Sequence, residues 1–457
     1  MQLKDLDPFT RVSIDSRTLQ KGDVFVAIRG GNFDGHDFVA DAAKRGAKLA
    51  IVEQSVKTKL PLIIVKDTKI ALGYLAKARK KTCDIKVVAV TGSCGKTTTK
   101  EMIASILNQV GATLSTTGNL NNDIGLPLTM LRLTPEHKYA VLEMGASSVG
   151  EIDYLTKLAE PNVAVITNAG EAHLEDFGSI ANIAKAKGEI FNGLKSGGTA
   201  IVNLDDNNSL FWLSELKQIQ SIKVLTFGLQ KAANIRAKIN KYDENGCATF
   251  NLTVQSSQCY SCEHENLEAH IAQSHHGNID IGLQLPGEHN VMNALAAASA
   301  TFALGVPLSQ IKSGLEEVQS VAMRLKKREG INGALIFDDT YNANPSATIA
   351  AIKLLAALKG EKFLVLGEMA SLGSEAERFH YEVGAMARDL GIDRLFACGE
   401  FGKTTAKGFG KDGVYFKTKD ELVLALLKVI DKNSVVLIKG SRISKMEEVV
   451  DRLCCIN

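Results

Sequence analysis

Hydrophobic residues occur along the chain in short runs separated by amphipathic stretches of helical length. The run KVVAV at 86–90 is β-branched and continuous, which is typical of a strand buried in a parallel sheet. After a glycine-bearing loop, apolar residues between 102 and 110 recur at helical spacing. Similar alternation continues downstream and predicts a central, doubly wound, mostly parallel α/β sheet. Its further strands are YAVLEM (139–144), VAVIT (163–167) and TAIVN (199–203).

Different patterns flank this central region. Residues 237–285 alternate polar and apolar positions, which predicts an antiparallel flap on the central sheet, and an Ala-rich helix follows at 290–304. Before residue 84 a helix at 38–45, closed by Gly46, lies among short strands and predicts a small α/β unit. The last part alternates strands and helices again and predicts a Rossmann-like open sheet. Its strands are in ALIFDDTY, KFLVLGEM, RLFACG and VVLIKGS.

The length of 457 residues agrees with this division, since about three domains are expected for such a chain. We predict domains at 1–84, 85–320 and 321–457. Basic and acidic residues nearly balance, 53 against 51, and no charged tail suggests nucleic acid as a partner. The N-terminus lacks a signal-peptide pattern, and no apolar run approaches the roughly 20 residues that span a bilayer. We therefore expect a cytoplasmic protein that does not insert into membranes.

The eight cysteines form no dense framework, which is typical of reduced thiols. Cys259 and Cys262 make a CxxC with four histidines nearby, so a zinc site is conceivable. No second ligand pair stands at a familiar spacing, and we interpret the segment as a polar surface excursion. The histidines are His264, His270, His275 and His276.

The loop TGSCGKTTT at 91–99 carries the clearest chemistry. Gly92 and Gly95 allow backbone amides to turn inward, Lys96 can sit against outer phosphates, and the Thr97 hydroxyl can bind Mg²⁺. The standard GxxxxGK[ST] spacing requires a glycine where Val90 stands, so an ordinary Gly-Lys turn is the alternative. The preceding strand and following helix favour a phosphate site, to which Ser93 and Thr98 also belong.

Ligands of open α/β sheets bind beyond the carboxyl ends of the strands. Glu143 ends one such strand and could hold Mg²⁺, a cation that prefers oxygen ligands. His173 follows the next strand, although a lone histidine is more often structural. Lys187 has no ligand chemistry as an ammonium, and its simplest interpretation is a solvated or ion-paired lysine.

Several strings occur in one order along almost the whole chain and together resemble the Mur ligases of peptidoglycan synthesis. The strings from 338, 365 and 436 are most similar to members that use D-alanyl-D-alanine. The full set is TGSCGKTTTKE, GNLNNDIGLPLT, LEMG, NAGEAHLEDFGS, AKGEI, LPGEHNVMNALAA, DDTYNANPSA, VLGEMASLGSEAERFH and VLIKGSRISKMEEVV.

The resemblance implies a ligase that uses ATP to convert the carboxylate of a UDP-MurNAc-tripeptide into an acyl phosphate, which the amine of D-alanyl-D-alanine attacks. Two Mg²⁺ ions are implied, one held by Thr97 and Glu143, the other by His173 and Lys187. Lys187 would be carbamylated, which turns a repelling cation into an oxygen donor; Lys185 is the competing position.

Further site residues are implied by the same resemblance, each with a structural alternative such as a helix cap, an ion pair or a polar turn. ATP contacts fall on His289, Asn290, Asn293, Arg324 and Asp339. The D-alanyl-D-alanine and acyl-phosphate region falls on Tyr341, Asn342, Asn344, Lys439, Ser441 and Arg442. The UDP-sugar-peptide falls on Ser16, Arg17, Gly31, His36, Thr116, Asn121 and Asn122.

Two other functions are weighed against this one. Another amide ligase of the superfamily is the nearest alternative, although the DNPR string typical of the diamino acid ligase does not occur. A phosphate-loop protein that switches or moves a partner would not need the acceptor-domain strings. We expect a monomer, and the third residue of the acceptor peptide stays open.

Overall fold

The computed structural model describes residues 2–31, 33–255 and 277–454, and these form three α/β units in chain order. The predicted α/β class is confirmed. Cys259, Cys262 and the neighbouring histidines lie outside the described residues, so the zinc hypothesis stays a hypothesis.

The first unit is a four-stranded parallel sheet in the order β1-β2-β3-β4. The predicted helix at 38–45 starts later than expected, because Asp34 accepts a hydrogen bond from the His36 amide and starts a 3₁₀ turn at Gly35–Phe38 first. Strands are β1 Val12–Ser13, β2 Val24–Val26, β3 Leu49–Val52 and β4 Leu62–Ile64; helices are α1 Val39–Lys44 and α2 Thr68–Lys81.

The second unit is built on a nine-stranded sheet. Its strands are β5 Lys86–Thr91, β6 Thr113–Ser115, β7 Tyr139–Glu143, β8 Val163–Ile166, β9 Thr199–Asn203, β10 Lys223–Gly228, β11 Ile235–Tyr242, β12 Cys247–Val254 and β13 Gly277–Pro286. The helices are α3 Lys96–Asn108, α4 Gly125–Met130, α5 Glu151–Ala159, α6 Leu174–Phe177, α7 Ile180–Gly188, α8 Ser209–Leu216, α9 Glu288–Ala303 and α10 Leu308–Glu317.

The strand order of this sheet is β13-β12-β11-β10-β9-β8-β5-β7-β6. Strands β5 to β11 run parallel, and β12 and β13 add antiparallel pairings at one edge, which confirms the predicted flap. Strand β5 lies between β7 and β8, so the residues that follow these three strands meet at one edge of the sheet. Helices α3 and α9 cover one face, where Met102, Ile103 and Val291 are fully buried.

The third unit is a six-stranded sheet in the order β14-β15-β19-β16-β17-β18, antiparallel only at β14. Its strands are β14 Lys326–Glu329, β15 Leu335–Asp339, β16 Glu361–Leu366, β17 Arg394–Ala397, β18 Gly413–Tyr415 and β19 Ser434–Lys439. Its helices are α11 Pro345–Ala357, α12 Ala376–Asp389, α13 Gly402–Phe409, α14 Lys419–Leu427 and α15 Glu447–Leu453. Within the described residues, every helix is too short or too polar to cross a bilayer.

Candidate active site

The loop between β5 and α3 requires both of its glycines. Gly92 and Gly95 have φ values of 150° and 79°, and a Cβ at either position would collide with the side chain of Thr167 or Asn293. Lys96 begins α3 and folds back, so that its Nζ donates to the Gly92 carbonyl over 2.6 Å. Val90, where a standard loop has glycine, is fully buried in β5 and pairs with both neighbouring strands.

Asn168, which the sequence interpretation passed over, braces this loop. Its Oδ1 accepts from the Cys94 amide over 2.9 Å, and its Nδ2 donates to the Cys94 carbonyl over 3.1 Å. Thr167 Oγ1 donates to the same carbonyl over 2.6 Å. The backbone of Cys94 is therefore fixed by two residues that follow β8, and a polar pair directly after a buried strand is the sequence signal for this role.

Glu143 and Thr97 lie side by side at the start of α3. Thr97 Oγ1 donates to Glu143 Oε2 over 2.9 Å and accepts from Arg324 Nη2 over 2.9 Å. Glu143 Oε1 accepts from Asn121 Nδ2 over 2.8 Å, while Thr116 Oγ1 accepts from the Glu143 amide over 3.0 Å. Both carboxylate oxygens are thus oriented, and residues from four separate stretches of chain converge on one point.

Lys187 is a buried amine near other positive charges. Its side chain lies on α7 with Nζ 5.5 Å from the centre of the Phe177 ring, whereas Lys185 is exposed. Burial, followed by repulsion from Lys96, lowers the pKa of Lys187 to about 7. A large fraction of this amine is therefore uncharged at pH 7.

His173 stands at the start of α6 in a left-handed conformation, with φ 59° and ψ 35°. Partial burial, then the charges of Lys96 and Lys187, lower the pKa of its imidazole, although its side chain is still 45% exposed. Asp176 lies 3.4 Å from its Nδ1. The lowered pKa favours the neutral ring, which is the form that can act as a ligand.

Helix α9 approaches the phosphate loop through a chain of amides. Asn290 Nδ2 donates to the Pro286 carbonyl over 2.7 Å, and Asn293 Nδ2 donates to Asn290 Oδ1 over 3.0 Å. Asn293 Oδ1 in turn accepts from Thr99 Oγ1 over 3.3 Å. Asn290 does not cap its helix, because Gly287 occupies that position. Burial is the main cause that lowers the pKa of the neighbouring His289 to about 4.

The third unit contributes a buried ion pair and a stacked arginine. Lys439 Nζ lies 2.6 Å from Asp339 Oδ2 and donates to the Asn342 carbonyl over 2.8 Å, which joins the ends of β15 and β19. The Arg324 guanidinium lies 4.2 Å from the centre of the Tyr341 ring. Asn344 caps α11 by accepting from the Ala347 amide, and its Nδ2 also lies 3.3 Å from Cys94 Sγ.

One cavity of about 730 Å³ unites most of the predicted residues. It is lined by Ser93, Gly95, Lys96, Thr97, Thr98, Asn121, Glu143, His173, His289, Asn290, Asn293, Arg324, Asp339, Tyr341, Asn342, Asn344 and Lys439. The sequence interpretation missed other lining residues, namely Asn168, Asn203, Asp205, Asp206, Asn207, Phe227 and Ser346. Predicted residues that do not line this cavity are Gly92, Thr116, Asn122, Lys187, Ser441 and Arg442.

The predicted residues of the first unit also lie away from this cavity. His36 is buried and its two ring nitrogens already have partners: Nδ1 is 2.5 Å from Asp34 Oδ1, and Nε2 accepts from the Glu53 amide over 2.8 Å. That geometry favours a role in shaping the turn over a direct ligand contact. Arg17 is exposed and paired with Asp15, Ser16 is buried, and Gly31 is exposed.

The donor chemistry around Thr97 fits Mg²⁺. A carboxylate and a hydroxyl stand together at the phosphate loop, and these hard oxygen donors suit the ion. Within 2–31, 33–255 and 277–454, no three His, Cys, Asp or Glu side chains form a metal-binding group. Phosphate oxygens and further donors are therefore required to complete any such site.

Three family profiles match the chain: the Mur ligase family catalytic domain over residues 8–90, the Mur ligase middle domain over 90–301, and the Mur ligase glutamate ligase domain over 323–442. The UDP-N-acetylmuramoyl-tripeptide--D-alanyl-D-alanine ligase of Escherichia coli K12 is 42% identical over 446 residues, covering 97% of this chain and 93% of that protein.

Solved structures agree with these matches. A crystal structure of MurF from Acinetobacter baumannii has a TM-score of 0.88 at 37% identity, covering 98% of this chain and 94% of that one. The MurF ligase of Thermotoga maritima, solved in complex with ADP, has a TM-score of 0.83 at 29% identity and covers 98% of each chain. This chain belongs to the Mur ligase family.

Proposed function

We propose that this chain is the ATP-dependent ligase that joins D-alanyl-D-alanine to UDP-MurNAc-tripeptide, releasing ADP and phosphate, in peptidoglycan precursor synthesis. The relatives that carry this activity in their names align over almost their whole length. The observation that carries the proposal is the single cavity in which the phosphate loop faces residues of the third unit. We also propose that the chain acts as a monomer.

The chemistry has to bring together two anions, a carboxylate and the γ-phosphate of ATP. A carboxylate oxygen attacks the γ-phosphorus and ADP leaves; the amine then attacks the acyl carbon, inorganic phosphate leaves, and the nitrogen loses a proton. Cations that lower the repulsion accelerate such a step. Lys96, Arg324 and Lys439 all line the cavity, and Arg324 donates to Thr97 Oγ1.

Mg²⁺ would supply further neutralisation of phosphate charge, with Thr97 and Glu143 as the protein ligands of one ion and His173 and Lys187 of a second. An ammonium at Lys187 offers no lone pair, so the second site requires the carbamate. The burial and lowered pKa of Lys187 support that modification, because CO₂ adds only to a neutral amine. The exposure of Lys185 argues against the competing position.

We assign the domains by the same reasoning. Residues 1–84 would bind the UDP moiety, 85–320 the phosphates of ATP, and 321–457 the nucleotide and D-alanyl-D-alanine. Asn290 and Asn293 reach the phosphate loop in a way that supports nucleotide binding. ATP and UDP-sugars are cytoplasmic metabolites, so we place the reaction in the cytoplasm.

The experiment that tests this proposal is phosphate release by the purified chain with Mg²⁺, ATP and a matrix of UDP-peptides against amines. We expect release only when UDP-MurNAc-tripeptide and D-alanyl-D-alanine are both present. Release that depends on a UDP-dipeptide and a diamino acid instead would assign the chain to another step of the family. ATP turnover independent of every acceptor would favour a switch or motor protein.

A further inference from the structure

The short segment around His173 is attached to the third unit on both of its sides. Before the histidine, Glu171 Oε2 accepts a short hydrogen bond from Ser346 Oγ at the start of α11. After it, the Glu175 amide donates to the Ser371 carbonyl over 3.2 Å. Two contacts with the third unit therefore bracket the predicted metal ligand.

Leu174, directly after His173, packs in two hydrophobic clusters at once. The first is the core of the third unit, which includes Met369 and Leu372 beside α12. The second is a small cluster of the central unit made by Phe177, Ile183 and Ala186. Because packed interiors do not deform continuously, a movement of one cluster displaces the shared side chain. That side chain in turn displaces the other cluster.

The second cluster adjoins Lys187. Ala186 precedes it on α7, and the Phe177 ring lies 5.5 Å from its Nζ. His173 itself has a left-handed backbone, a conformation that costs free energy in a residue with a Cβ and persists only when its surroundings support it. The amides of Asp176 and Phe177 both donate to its carbonyl over 3.1 Å, which makes the turn of α6 part of that support.

We propose that Leu174 is a positioning residue through which the seating of the third unit on the central unit fixes His173 and Lys187 together. While the third unit is packed against the central unit, Leu174 is held between the two hydrophobic clusters. His173 and Lys187 then take the positions that catalysis requires. The expected effect on kcat rests on the proposed function, whereas the coupling between the two units rests on packing alone.

The test compares Leu174→Ala with the conservative Leu174→Met and with Leu194→Ala, a partly buried leucine of the central core, as a matched control. For Leu174→Ala we expect kcat to fall by about 10- to 100-fold, as for a small misplacement of reacting groups. ADP binding, measured by calorimetry, should stay within about twofold, since Leu174 is not among the residues that line the cavity beside the phosphate loop. Leu174→Met should recover most of kcat.

Hydrogen exchange supplies a readout that does not need turnover. In Leu174→Ala the amides of residues 174–188 and of 369–373 should exchange faster together, whereas Leu194→Ala should leave both segments unchanged. Faster exchange on only one side, or normal kcat in Leu174→Ala, would overturn the coupling. A wild-type chain that fails to ligate while both segments respond together would overturn the proposed function and leave the coupling intact.

Discussion

Thr97 Oγ1 and Glu143 Oε2 lie 2.9 Å apart although the two residues are 46 positions apart in the chain. Thr97 lies in the first turn of the helix after β5, and Glu143 ends the neighbouring strand β7, which pairs with β5 in parallel. Because these strands are parallel neighbours, their carboxyl ends lie side by side. The hydroxyl and the carboxylate therefore meet at the phosphate loop. The magnesium part of the proposed mechanism depends on this pair.

Glu143→Gln keeps the shape of the side chain and removes its charge. We expect kcat to fall by about 10²- to 10³-fold, comparable to the loss of one preorganised electrostatic group, with the thermal unfolding midpoint nearly unchanged. The control is Glu244→Gln, an exposed glutamate in the turn between β11 and β12. Equal phosphate release by wild type and Glu143→Gln at saturating Mg²⁺ would remove this residue from the mechanism.

Lys187→Ala should abolish ligation if its carbamate is a ligand, and added short carboxylic acids should restore part of it by supplying the missing oxygens. Lys185→Ala is the matched control, because it changes an exposed lysine on the same helix. We expect its phosphate release to equal that of wild type. Activity lost in Lys185→Ala but kept in Lys187→Ala would reverse the assignment.

Arg324→Lys should not behave as a conservative change. The planar guanidinium both donates to Thr97 and stacks on Tyr341, and an ammonium cannot do both. We expect roughly tenfold weaker ADP binding by calorimetry, in line with about 1–2 kcal/mol for a desolvated cation–π contact. Tyr341→Phe keeps the ring and should bind ADP normally; equal weakening by both variants would contradict the stacking argument.

Arg79 joins the first two units and should matter for stability. Its guanidinium donates to the carbonyls of Thr10, Leu131 and Leu133 over 3.1, 2.7 and 3.0 Å, and also to that of Pro8. Arg79→Leu leaves these buried acceptors unpaired, so we expect a loss of about 2–4 kcal/mol in urea unfolding. Arg378→Leu breaks exposed ion pairs and a surface contact with the Phe379 ring, and should change the midpoint little.

Glu160 makes the free energy of unfolding depend on pH in the acid range. Hydrogen bonds from Lys77 and Lys80 outweigh burial and lower the pKa of this carboxyl from 4.5 to about 2, whereas burial lowers the pKa of the Lys80 amine. A lowered carboxyl pKa gives stability that is present above pH 4.5 and lost as pH falls towards 2.

Burial disfavours the charged form of Lys80, and Glu160 is partly exposed to solvent. Both effects reduce the expected contribution of the pair to the free energy of unfolding to about 1 kcal/mol. Glu160→Gln should therefore flatten the fall in the free energy of unfolding between pH 4.5 and 2. The measurement is urea unfolding across that range, with Glu244→Gln as an exposed control. An unchanged slope in Glu160→Gln would show that other groups cause the acid loss.

The sequence predicts the parts of this protein that depend on local pattern. Buried strands such as KVVAV and the loop after them were located correctly because a continuous β-branched run has few other interpretations. The sequence pattern does not reveal β6 and β10. Thr113–Ser115 has only three residues and carries too little periodicity, whereas β10 has six residues, Lys223–Gly228. Which lysine of AKAKGEI is buried could not be derived from the local string alone, because the answer depends on the packing of α7.

Contacts between residues far apart in the sequence are the second feature that a local pattern does not predict. The side chain of Asn168 holds Cys94 across 74 positions, and its place directly after a buried strand indicates a polar role without naming the partner. Leu174 joins two cores, and that contact leaves no pattern along the chain. Conversely, His36 is the kind of polar turn residue that suggests a ligand, and only the structure reveals that both its ring nitrogens have protein partners.

If this cavity activates a carboxylate with ATP, one oxygen of that carboxylate must pass to the released phosphate, and an isotope transfer experiment follows this oxygen. UDP-MurNAc-tripeptide labelled with ¹⁸O in its terminal carboxylate is incubated with the chain, ATP, Mg²⁺ and D-alanyl-D-alanine, and the released phosphate is analysed by mass spectrometry. Attack by the carboxylate on phosphorus predicts that each phosphate carries one labelled oxygen while the amide keeps the other. Unlabelled phosphate, formed at the same rate as amide or without it, would contradict the account.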